Sequence, residues 1–125
     1  MATGEHRASA GWRRLLPLVL VVAVLAPYGS LLVGRGVVIT DDIFVSDLMN
    51  GEVPARVAAG RMMRQGEWPL WSPDLCGGFP LLGGGAVGEP LSLLLFTALP
   101  PVWAVNAYML LLLLLAAGGA YGLAR

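Results

Sequence analysis

Lysine is absent from this 125-residue chain, which carries one cysteine, one histidine and only 13% charged residues. A single cysteine, Cys76, excludes an intrachain disulfide and any multi-cysteine zinc site. His6 alone makes no histidine-rich metal centre, so the residues themselves point to no metal site. The net charge is zero, which leaves no basic field to hold a polyanion, and no nucleic acid is expected as a partner. Charge stands at roughly half the share of an average soluble domain. An ordinary soluble globule is therefore excluded. What the chain has instead is apolar surface, with 57% hydrophobic residues and a mean hydropathy of +0.73.

The charges are confined. None falls in residues 15–34 or in residues 90–124. At about 1.5 Å per residue, the first run spans roughly 30 Å, the thickness of a bilayer's hydrocarbon core. Pro17 lies near its start, and Pro27 with Gly29 and Ser30 should kink or loosen its last third. The second run is divided by Pro100 and Pro101, since adjacent prolines do not sit inside a helix. Residues 102–124 then form a second span, with Trp103, Tyr108 and Tyr121 as its aromatic belt. Residues 90–101 are too few to cross and read as an interfacial or re-entrant segment. The tract Ala116-Ala117-Gly118-Gly119-Ala120, with Gly122, offers a small-residue face to other transmembrane helices.

The expected fold class is thus an all-α membrane protein of two transmembrane helices joined by a long extracytoplasmic loop. Residues 1–14 form a cytoplasmic N-terminus, 15–34 the first span, and 35–89 the loop. Arg7, Arg13 and Arg14 precede the first span, so the positive-inside rule puts the N-terminus inside and the loop outside. A cleaved signal peptide is the competing reading, with a small-residue site at Val24 and Ala26. The apolar region overshoots the usual length of about 7–15 residues, and Pro27 follows directly, which favours an uncleaved anchor. The expected place is a membrane, with the lipid bilayer as first partner.

Chemistry can reside only in the loop, which holds four arginines and seven carboxylates. Val37-Val38-Ile39 reads as a short extended stretch, followed by the acidic cluster Asp41, Asp42 and Asp47. Residues 54–65 read as a helix begun by Pro54. On it Ala55, Ala58, Ala59, Met62 and Met63 share one side and Arg56, Arg61 and Arg64 the other. Such a helix suits the bilayer surface, its arginines meeting phosphates or lipid headgroups. Beyond Gly66 the proline and glycine content predicts no regular structure and no enclosed pocket. Trp68 and Trp71 are candidates for stacking on a sugar or anchoring at the interface.

Asp42, Asp47, Pro54 and Arg56, then Gly66-Glu67-Trp68-Pro69-Leu70-Trp71-Ser72-Pro73, Gly77-Gly78-Phe79-Pro80-Leu81, Pro90-Leu91, Pro100 and the closing Tyr121-Gly122-Leu123-Ala124-Arg125 occur in this order. Together they resemble the start of a YfhO-type bacterial membrane protein. That family is similar to the GT-C glycosyltransferases, multi-pass enzymes that use polyprenyl-phosphate-linked sugars. The resemblance implies an acidic residue in the first extracytoplasmic loop, acting as general base or as ligand to a divalent metal ion. Asp42, Asp47 and Asp41 occupy that position, in that order of preference. A carboxylate there can take the acceptor's proton. Arginines can hold the departing phosphate through two donors at once. The bland alternative for Asp47 is a helix cap leading into Leu48-Met49, or a tie to Arg56 or Arg61. Family members have many spans and this chain has two, so it reads as an N-terminal module or fragment that is not catalytic alone. The alternative is a small two-span subunit docking a larger membrane partner.

Overall fold

The computed structural model describes residues 5–37, 45–83 and 85–124 of the chain. Helix α1 runs Glu5–Leu25, and a 3₁₀ turn at Ala26–Tyr28 separates it from the single helical turn α2, Gly29–Leu32. The break falls where Pro27 removes a backbone donor, as the sequence predicts. α1 begins ten residues before the charge-free run, so Pro17 lies inside the helix instead of at its start.

A π-helical turn, Leu48–Glu52, leads directly into α3, Val53–Arg64. α3 matches the expected helix to within a residue, with Pro54 in its first turn. Its end is fixed by Gly66 at φ +79°. There Glu67 N–H donates to Met62 O at 3.0 Å and Gly66 N–H to Met63 O at 3.1 Å, the paired bonds of a glycine-terminated helix.

The segment beyond Gly66 departs from expectation. Trp71–Ser72 (β1) pairs antiparallel with Phe79–Pro80 (β2), in register Trp71 opposite Pro80 and Ser72 opposite Phe79. The chain is mostly helical but not wholly so. The turn between the strands takes Cys76, Gly77 and Gly78 through positive φ. The Trp71 indole lies so close over Gly78 that a Cβ there would stand 2.6 Å from the ring. Leu70 O accepts N–H bonds from Leu81 and Leu82 and extends the pairing by a residue.

This segment has its own small core. Leu81 and Ala86 pack on Ala55, Ala58 and Ala59 of α3, with Met62, Leu75 and Phe79 at the margin. Helix α4, Pro90–Ala98, lies against the other side of α3 and turns at Leu99–Pro100 into α5, Pro101–Ala124. Phe96, Ala104 and Val105 close a second core with Val37, Val53 and Val57. α3 is thus buried on two sides. That corrects the surface-lying amphipathic helix of the sequence reading, because the helix packs against protein on both flanks.

Two stretches, Leu15–Leu32 and Pro101–Ala124, are long and apolar enough to cross a membrane. They meet near the loop. The Asn106 side-chain amide donates to Leu31 O at 3.3 Å and Gly36 O at 2.9 Å, and Asn106 is 2% exposed. The amide nitrogen of this buried polar side chain is held by two carbonyls at and just beyond the end of the first apolar stretch, while its Oδ1 is buried without a hydrogen-bond partner among the described residues. The indole of Trp103 covers Gly34, where φ is +70°.

Candidate functional site

The polar centre of the loop is Arg56. It is 8% exposed, against the expectation of a solvated arginine face. Nη2 donates to Glu52 Oε2 at 3.0 Å, one helical turn earlier. Nη1 donates to Glu89 Oε2 at 3.0 Å and to Ser92 Oγ at 2.5 Å. The guanidinium also stands 4.9 Å from the centre of the Tyr108 ring, and the Tyr108 hydroxyl donates to the same Glu89 oxygen. One side chain therefore ties together the π-helical turn, α3, the start of α4 and α5.

The electrostatics follow from these contacts. Burial acts to lower the Arg56 pKa, but the hydrogen bond to Glu89, the charge interaction with Tyr108 and the hydrogen bond to Glu52 together outweigh it and raise the value on balance. Glu89 is held below its ordinary 4.5, chiefly by the Tyr108 hydroxyl and then by Arg56. A carboxylate whose folded pKa is depressed contributes stability above its unfolded pKa, and that stability is lost as pH falls through the folded value. The attachment of α4 to α3 should accordingly weaken below about pH 4. Glu89→Gln should remove that acid sensitivity. Titrating loop proteolysis between pH 7 and pH 3 in both proteins checks it, and identical curves would exclude Glu89 as the group responsible.

The other two arginines have separate tasks. Arg61 pairs with Asp74 at 2.6 Å on the surface. Arg64 Nη1 donates to Phe96 O at 2.8 Å and Thr97 O at 3.1 Å, covering carbonyls that the end of α4 leaves without helical partners. The three expected phosphate ligands do not converge on one point.

Of the acidic candidates, Asp41 and Asp42 lie outside the described residues, as do Val38 and Ile39. Asp47 is exposed. It makes no cap hydrogen bond; Ser46 Oγ accepts from Met49 N–H instead, at 3.4 Å. Nor is Asp47 tied to Arg56 or Arg61, which hold Glu52, Glu89 and Asp74. Trp68 and Trp71 are both exposed, at 72% and 55%. Among the described residues no group of three potential metal ligands gathers.

Beside Arg56 an open groove of about 200 Å³ lies between the π-helical turn, α4 and α5. Leu48, Val105 and Met109 give it an apolar wall, and Glu52, Arg56 and Tyr108 a polar end. Sequence reasoning assigned no role to Glu52, Glu89, Ser92, Asn106 or Tyr108 beyond an aromatic belt. The four-residue spacing of Glu52 and Arg56 was a usable signal, as was a lone Asn106 in an apolar run. No known protein family matches this chain, and neither does any curated protein or solved structure.

Proposed function

We propose that this chain is the N-terminal module of a membrane glycosyltransferase-like protein that uses polyprenyl-phosphate-linked sugars and works together with further transmembrane helices. In this reading it lies in a bacterial cytoplasmic membrane, N-terminus inside and loop outside, as the arginines before the first span favour. The observation that carries the chemical part is the state of Asp47. Glu52, Asp74 and Glu89 hold arginines, whereas Asp47 is exposed, without an ion pair among the described residues. Asp47 immediately precedes Leu48, which lines the groove, and an exposed carboxylate held by no arginine suits the role of proton acceptor. Asp42 and Asp41 precede it by a few residues and share the role in this proposal, with a divalent metal ion as the alternative use of the cluster.

The lower half of α5 supports the need for other helices. Among the described residues none beyond Leu110 is buried, and nothing lies within 4 Å of a Cβ placed at Gly118, Gly119 or Gly122. The same observation favours a two-span subunit that docks a larger membrane partner, as a second reading. The test is sugar transfer from a polyprenyl-phosphate donor by the protein purified from its native membrane with whatever accompanies it. Asp47→Asn or Asp42→Asn should lower transfer about 10²–10⁴-fold at unchanged abundance, since each removes a proton acceptor and keeps size. Full activity in both variants would move the catalytic assignment elsewhere, and absence of transfer in the unaltered protein would favour the docking subunit.

A further inference from the structure

Asn106 fixes the height of one span against the other. Its bonds to Leu31 O and Gly36 O set the outer end of the first span, and Arg35 beyond it, level with this point on α5. Beyond it the apolar helix continues through residues 107–124, about 27 Å at 1.5 Å per residue. The buried residues of α5 end at Leu110, in agreement with that level. The first turn of α5 therefore stands inside the folded loop, and the bilayer surface falls near Asn106. α4 runs back along this first part of α5, and Glu89 at its start bonds to Tyr108, so the groove beside Arg56 opens at headgroup height.

Two further features define an occupant. Val105 and Met109 lie one turn apart in the groove wall, and Leu112, 41% exposed, continues their face into the lipid-level part of α5. An acyl chain has a continuous apolar track. At the polar end Glu52 lines the groove beside Arg56, and Glu89, outside the lining, pairs with the same arginine, so two carboxylates surround one cation. Both terminal nitrogens of Arg56 are engaged by Glu89, Ser92 and Glu52, which disfavours a phosphate monoester there. Glu52 is half-exposed and lines the groove, placed to accept hydrogen bonds from a cation.

We propose that this groove holds an outer-leaflet lipid whose head carries a primary ammonium, with Glu52 accepting from the ammonium and the Val105–Met109–Leu112 face carrying the first carbons of the chain. The inference rests on the membrane reading and requires no glycosyltransferase activity. It is tested with the full chain in nanodiscs of equal parts phosphatidylethanolamine and phosphatidylglycerol with identical acyl chains. Lipids that remain bound are counted by native mass spectrometry. A partly exposed ion pair supports about a three- to fivefold enrichment of the ethanolamine lipid. Glu52→Gln should abolish the enrichment, and Leu48→Trp, which fills the groove from the π-helical turn, should remove the bound lipid at unchanged helix content. Adducts in the bulk ratio, equal in all three proteins, would overturn the site while leaving the membrane reading intact. Displacement by millimolar ethanolamine alone would overturn the lipid assignment in favour of a free amine. Failure to enter nanodiscs would overturn both.

Discussion

Replacing Arg56 with alanine is expected to cost about 2–3 kcal/mol of stability and to release the loop from α5. The guanidinium is nearly buried, and four groups from three other elements converge on it: Glu52, Glu89, Ser92 and the Tyr108 ring. Removing it leaves Ser92 buried without this donor and two carboxylates close together. Both carboxylates are half-exposed, so water recovers part of the loss, and the cost stays below that of a fully buried pair. Arg56→Met keeps most of the side-chain volume and should recover only the packing share. Denaturant unfolding with limited proteolysis at the glycine-rich stretch 83–88 measures both. An Arg56→Ala protein as stable as the parent would mean that the cluster holds nothing together.

A larger effect is expected at Gly60. This residue lies where α3 crosses α4, and a Cβ on it would fall on the carbonyl oxygen and carbon of Phe96, well inside contact distance. Those are backbone atoms, so no side-chain rotation relieves the overlap; the helices must separate. The same carbonyl accepts the Arg64 bond that covers the end of α4, and separation would break that too. Gly60→Ala should cost about 3 kcal/mol or more. Gly51 provides the contrast, since nothing lies within 4 Å of a Cβ there and its φ is not positive. Gly51→Ala should be neutral or stabilising by up to about 1 kcal/mol, because alanine loses less backbone freedom than glycine on folding. Equal effects at the two positions would contradict the close approach of α3 and α4.

These two residues also mark where the sequence stopped being informative. The two long apolar helices, the break at Pro27, the corner at Pro100–Pro101 and the limits of α3 were legible, because charge gaps and prolines act locally. The environment of α3 was not. Projection around a helix axis sorts residues onto two faces and presumes that only one is buried. Here the β1–β2 segment covers one flank and α4 the other, so Ala55, Arg56, Ala58, Ala59 and Gly60 are all buried. Arg56 consequently turned from a lipid-facing charge into the centre of an ion-pair cluster. Glu52 could have been matched to it from the four-residue spacing, but Glu89 is 33 positions away and no local rule joins them. The same limit hid the contact of Gly60 with Phe96. Asn106 was different: a polar side chain in a long apolar run was visible, and its meaning as the tie between the spans needed only the partner.

In the proposed topology both long helices cross a membrane and the segment between them folds on the outer side. The chain contains its own reporter, since Cys76 is its single cysteine and is exposed in the turn between β1 and β2. Intact cells making the unaltered protein should be treated with a membrane-impermeant maleimide, before and after permeabilisation. Cys76 should label fully in intact cells, with no gain on permeabilisation. Labelling that appears only after the membrane is opened would contradict it.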